Sequence, residues 1–264
     1  MIGGNIKMGF IHRFAFALTF FTRLPFPYEI DYDETLPSKS MGLYPLIGII
    51  IALILIVFSK VAFIFLEANI VNVLLLILLV YITGGLHLDG FIDSVDGLFS
   101  CRKKERILEI MHDSLIGSFG AIAVILLFLL KFNLFLNLTA EIRFPVFILM
   151  TVISRWMVVF STWKYPLAVS SSLGKGFNYH LSLKQLVEAA IYVVISMFFI
   201  NYLFTYPIYF TLIIFIVSLF ITHLFASYVI KKIDGLTGDI YGAINEIVEV
   251  VVLLTAIVLK GVFF

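Results

Sequence analysis

The chain of 264 residues is 62% hydrophobic and 13% charged, with a mean hydropathy of +1.11. Soluble domains are roughly 45–50% apolar, so a soluble fold is excluded and an all-α, polytopic membrane protein is indicated. A net charge of +1 without basic patches interleaved with aromatics argues against nucleic acid, and the lone Cys101 excludes an internal disulfide and a cysteine-based zinc site.

Lys7 and Arg13 precede the apolar stretch Phe14–Phe21 in the manner of a signal peptide. No small-residue cleavage site follows, only Thr22-Arg23-Leu24-Pro25, so segment 1–41 is expected to be retained and to carry a short interfacial helix. Apolar runs then fall at residues 42–66, 70–87, 117–136, 143–162, 186–205, 207–230 and 242–264, with breaks at Pro or polar clusters. About seven spans of some 20 residues use up the length, so 1–264 is expected to form one transmembrane domain.

Basic residues orient these spans. Lys7, Arg13, Arg23, Lys39, Arg102, Lys103, Lys104, Arg106, Lys164, Lys175, Lys184, Lys231 and Lys232 fall on one side, against Arg143 and Lys260 on the other. The positive-inside rule makes the crowded side cytosolic. Within the spans, Lys60 and Lys131 sit toward the outer ends and are expected to snorkel. Arg155, in the apolar setting Thr151-Val152-Ile153-Ser154-Arg155-Trp156, calls for a partner inside the bundle, either a carboxylate or a substrate phosphate.

The polar segment 87–116 follows the second span. Asp89, Asp93 and Asp96 stand at i, i+4 and i+7, a spacing that puts three carboxylates on one helical face within reach of one divalent ion. The alternative is a solvated loop with Asp-Gly turns. Oxygen-only donors suit magnesium, and the ligand spacing of an EF-hand is absent. His87 serves as ligand, base or hydrogen-bonded bystander.

Ile107, Leu108, Ile110 and Met111 repeat at helical spacing, predicting a short amphipathic helix on the membrane surface that ends near His112-Asp113. Asp113 is placed to complete the metal shell, and Gly117 and Gly120 to let helices approach closely. Farther on, Gly174 and Lys175 lie in a Ser/Gly segment that is either a phosphate-cradling nest or a linker, without a Walker pattern. Thr237 and Asp239 lead into the last span, where Asn245, Glu246 and Glu249 hint at a second acidic patch for a metal or a hydroxyl substrate.

The stretch Thr83–Gly97, with its Gly-Gly-Leu-His-Leu-Asp-Gly core, together with Arg106–Ser114 and Gly117–Gly120, resembles cobalamin synthase, the adenosylcobinamide-GDP ribazoletransferase family. Phe20–Pro25 and Thr237–Ala243 resemble that family's other motifs in the same order, so the likeness covers about residues 20 to 250. Asp234 and Tyr241 depart from the pattern, standing where Gly and Leu are expected.

The resemblance implies a magnesium-dependent transferase of the bacterial cytoplasmic membrane. A hydroxyl of α-ribazole, or of its 5′-phosphate, attacks the phosphate bearing the cobinamide arm of adenosylcobinamide-GDP, and GMP leaves. On that basis Asp89, Asp93, Asp96 and Asp113 are expected to hold Mg2+, with Asp93 or Asp96 as base. Arg23, Arg102, Arg155 and Lys175 are expected to clamp phosphate oxygens, and His87, Gly174, Thr237, Asp239 and Asn245 complete the substrate-binding set.

Membrane lipid is the other expected partner, and a homo-oligomer is left open. Reaction type also links the chain by analogy to CDP-alcohol phosphotransferases, whose Ala-Arg after the first Asp-Gly is missing here. A cation-coupled transporter is the reading from a different class. Its carboxylates would sit near the midplane within inverted repeats, whereas these crowd a rim and no internal repeat is found.

Overall fold

The computed structural model describes residues 9–27, 30–168 and 181–263. Among these run eleven α-helices: α1 (Phe10–Phe21), α2 (Leu36–Ser40), α3 (Tyr44–Phe65), α4 (Ala68–Thr83), α5 (Leu86–Phe99), α6 (Lys104–Met111), α7 (Ser118–Asn137), α8 (Ala140–Lys164), α9 (Leu183–Leu203), α10 (Ile208–Ile233) and α11 (Gly238–Phe263). A 3-10 turn, Met41–Leu43, joins α2 to α3.

Six helices are long and apolar enough to cross a membrane: α3 with α2, then α7, α8, α9, α10 and α11. The protein is therefore an integral membrane protein. The pair α4–α5 passes the same test only jointly and is bent by 92°. A 16-residue helix is about 24 Å long, so α4 supplies most of a seventh candidate crossing and α5 turns sideways at its end. Every predicted span coincides with a helix. The second stops at Thr83, earlier than expected, because Gly84 and Gly85 take left-handed φ of 64° and 73°. Two such residues in a row end one helix and aim the next across it.

The bundle is built around α8. Its apolar window is 83% buried, against 22–28% for α7, α9 and α10, whose Ile125, Leu126, Phe198 and Phe220 point outward. Lipid is as apolar as those side chains, so close packing and internal hydrogen bonds hold such helices together. Gly48 shows how: Thr151 of α8 donates to its carbonyl at 2.7 Å, and a Cβ at Gly48 would stand 2.5 Å from the Thr151 oxygen.

At the end of the bundle opposite α5, Arg143 donates to Asn72 at 2.8 Å and to the Leu138 carbonyl at 2.9 Å, tying α8 to α4 and to the α7–α8 turn. One expectation fails. Lys131 does not snorkel: it is 3% exposed and paired with Glu246 and Glu249, whose carboxylates take the place of the water that would otherwise solvate its ammonium.

Candidate active site

Helix α5 lies against the first turns of α7 and α11. The contact with α11 is glycine-mediated: a Cβ at Gly90 would sit 2.7 Å from the Asp239 carbonyl, and one at Gly242 would sit 2.9 Å from that of His87. The Asp-rich stretch is thus a regular helix, not a loop, and Asp89, Asp93 and Asp96 share one face of it.

Asp93 is half-buried. Burial, then the negative charges of Asp89, Asp239 and Asp96, push its carboxyl from 3.8 up to about 7. No hydrogen-bond partner for its carboxylate is present among the described residues. Asp96 differs, being buried and accepting the backbone N–H of Gly117 at 2.8 Å and of Gly120 at 2.9 Å. It satisfies orphan donors at the start of α7 and complements the positive end of that helix.

Asp89 and Asp239 of α11 line one cavity, and the charges of Asp89, Asp239 and Asp96 all act on Asp93. Asp96, Asp113, Arg102 and Arg106 line an open cleft of about 540 Å³, where Asp113 is exposed and accepts the Leu115 N–H at 3.1 Å. Among the described residues no three His, Cys, Asp or Glu side chains converge to hold a metal ion. Arg23 is exposed in another cleft, shared with Gly84, Gly85 and Asp89, and its Nε lies where a Cβ on Gly84 would meet it at 2.5 Å. Gly174 and Lys175 lie outside the described residues.

Behind Asp89 opens an apolar cavity of about 160 Å³ between α1, α3, α5, α8 and α11. Phe21, Tyr44 and His87 form one wall. Phe21 stacks on Tyr44 with centroids 3.8 Å apart and lies within 12° of parallel to the His87 ring. His87 is buried, its Nε2 bonded to the Tyr44 hydroxyl.

Deeper in the bundle is a second polar cluster. Arg155 donates to Glu249 at 2.8 Å, Lys131 to Glu246 and Glu249 at 2.6 and 2.7 Å, and Asn245 to Glu249 at 3.1 Å. This answers which partner Arg155 has: a carboxylate. It also corrects the second acidic patch, since Glu246 and Glu249 are matched by two cations and form no open metal site. Asn245 belongs to this cluster. Thr237 accepts the Ile240 N–H and meets Asp239, both at 3.3 Å, and so caps α11.

Tyr44, Phe21, His112 and Lys131 were not singled out from sequence as site or network residues. Tyr44 and Phe21 read as span residues, and only His112, inside Met111-His112-Asp113, carried a local signal.

A family model for cobalamin-5-phosphate synthase matches residues 13–257. An adenosylcobinamide-GDP ribazoletransferase from Fusobacterium nucleatum is 38% identical over 95% of this chain and 98% of its own length. Proteins of the same name from Brevibacillus brevis and Clostridioides difficile are 35% and 33% identical, over 94% and 96% of this chain and 98% and 99% of theirs. No solved structure matches. With nearly its whole length covered, and with Asp89, Asp93 and Asp96 set at the rim of a helical membrane bundle, the chain belongs to the cobalamin-5-phosphate synthase family.

Proposed function

We propose that this protein is a single-domain adenosylcobinamide-GDP ribazoletransferase, acting from the cytosolic face of the bacterial cytoplasmic membrane. The acceptor is α-ribazole or its 5′-phosphate; its ribose hydroxyl attacks the phosphate that carries the cobinamide arm, a new phosphodiester forms and GMP departs. The observation that carries this reading is the sideways helix α5, which sets Asp89 beside Asp239 in the lining of one cavity, with Asp93 one turn further along the helix.

The donor set is hard oxygen, in charge-crowded surroundings, and so fits Mg2+. Asp89 and Asp93, one helical turn apart, would hold the ion as a pair of carboxylates, with Asp96 and Asp113 facing the neighbouring cleft. Bound there, Mg2+ supplies neutralising charge to the diphosphate.

The chain's own groups do the rest. Arg102 and Arg106, in the cleft with Asp113, are placed to bind phosphate oxygens, and Arg23 approaches Asp89 from the other side. Both oxygens of Asp96 already accept backbone N–H groups, which leaves Asp93 as the carboxylate able to take the hydroxyl proton. Phosphoryl transfer needs positioning and charge more than covalent help.

The test is GMP release from adenosylcobinamide-GDP by detergent-solubilised protein. Release should require both α-ribazole and Mg2+ and fall about 100-fold or more in Asp89→Asn and Asp93→Asn. Full turnover by either variant would falsify the assignment.

A further inference from the structure

We infer that Tyr44 is a positioning residue of this site: its hydroxyl fixes His87 in the tautomer that carries the ring proton on Nδ1, which gives the cavity an uncharged donor for a substrate oxygen. The inference rests on the transferase reading and adds to it a residue outside the acidic set.

Tyr44, at the start of α3, is fully buried, and among the described residues its hydroxyl meets one partner, His87 Nε2. A buried O–H left without an acceptor is costly, so Tyr44 donates and Nε2 accepts. A neutral imidazole has one N–H and one lone pair. With the lone pair of Nε2 taken by Tyr44, the N–H falls on Nδ1. Phe21 packs near-parallel to both rings, within 21° of Tyr44 and 12° of His87, so stacking as well as the bond sets their orientation.

Nδ1 has no partner among the described residues, although His87 is only 5% exposed. The ring lines the cavity of about 160 Å³ together with Asp89 and Asp239. Ionised carboxylates only accept, and Thr162, also in the lining, gives its hydroxyl proton to the Val158 carbonyl at 2.9 Å. A ligand oxygen therefore meets acceptors on α5 and α11 and a neutral donor on His87. A hydroxyl satisfies both at once, accepting from Nδ1 while donating to a carboxylate; a phosphate oxygen accepts from Nδ1 alone.

In solubilised protein, His87→Leu should lower kcat/KM for GMP release about 100-fold. His87→Asn, whose side-chain N–H stands close to the place of Nδ1, should recover most of that loss. His87→Gln carries its amide farther out, toward the place of Nε2, and should recover none. Tyr44→Phe should cost about tenfold. The substrate whose KM rises, α-ribazole or adenosylcobinamide-GDP, identifies the source of the oxygen.

Nitrogen NMR of protein labelled at its histidines gives a readout independent of turnover, the His87 signals being those lost in His87→Asn. Wild type should show the proton on Nδ1, and Tyr44→Phe should shift it toward Nε2. A proton on Nε2 in wild type, a spectrum that Tyr44→Phe leaves unchanged, or equal activity of the Asn, Gln and Leu variants would each overturn the inference. If the spectra come out as expected but wild type releases no GMP, it is the transferase reading that fails.

Discussion

Glu249 of α11 holds the guanidinium of Arg155, from α8, at 2.8 Å, with both side chains at most 1% exposed. Removing one member of a buried pair leaves an uncompensated charge, at a cost of about 3–5 kcal/mol. Glu249→Ala should therefore lower thermal stability in detergent by that amount. The double variant Arg155→Met/Glu249→Leu keeps Lys131 matched to Glu246 and should recover most of the loss. A double variant as unstable as the single one would show that the pair is not the coupled unit.

Asp96 anchors α7 through Gly117 and Gly120. Asp96→Ala should cost about 1–2 kcal/mol in the absence of Mg2+, as loss of a helix cap does. Asp96→Asn keeps one acceptor oxygen and should recover part of it. Gly120→Ala should mimic the loss, because its Cβ would fall 2.3 Å from an Asp96 carboxylate oxygen. Thermal melting with and without Mg2+ separates this anchoring role from metal binding, since an anchor changes the midpoint without changing the response to the ion.

Asp93 gives a pH signature. Its carboxyl is raised from 3.8 to about 7, so between those values the native protein holds a proton that the unfolded chain has released. Native stability without metal should fall as pH climbs through that window and level off above it. Asp93→Asn should flatten the profile. Mg2+ competes with the same proton, so its stabilising effect should be large at pH above about 7 and small near pH 5. Melting midpoints across a pH series check both.

The single cysteine reports orientation. Cys101 is exposed just beyond α5. A membrane-impermeant maleimide should label it in inside-out vesicles and not in intact cells. Labelling confined to intact cells would reverse the proposed sidedness.

The spans were legible because about 20 apolar residues in a row have few other fates. The Asp face was legible too, since i, i+4, i+7 spacing fixes a common side once a helix forms. Four things were not. The stop at Thr83 depends on Gly84 and Gly85 adopting positive φ, which the sequence permits without requiring. Lys131 pairs with residues 115 and 118 positions away, a separation no local pattern encodes. The cavity gathers Phe21, Tyr44, His87 and Val158 from four helices, and each alone looks like ordinary span or rim. What Asp96 does was hidden for a related reason: its partners are main-chain groups of another helix.

The turn at Gly84–Gly85 makes the molecule one-sided. By laying α5 over the ends of its neighbours, it gathers the candidate site's carboxylates into a shallow layer, while the long helices beneath serve as a foundation. Under the proposed function, bulky, water-loving reactants would arrive and depart through a single doorway, and a catalytic cycle would transport nothing across the bilayer.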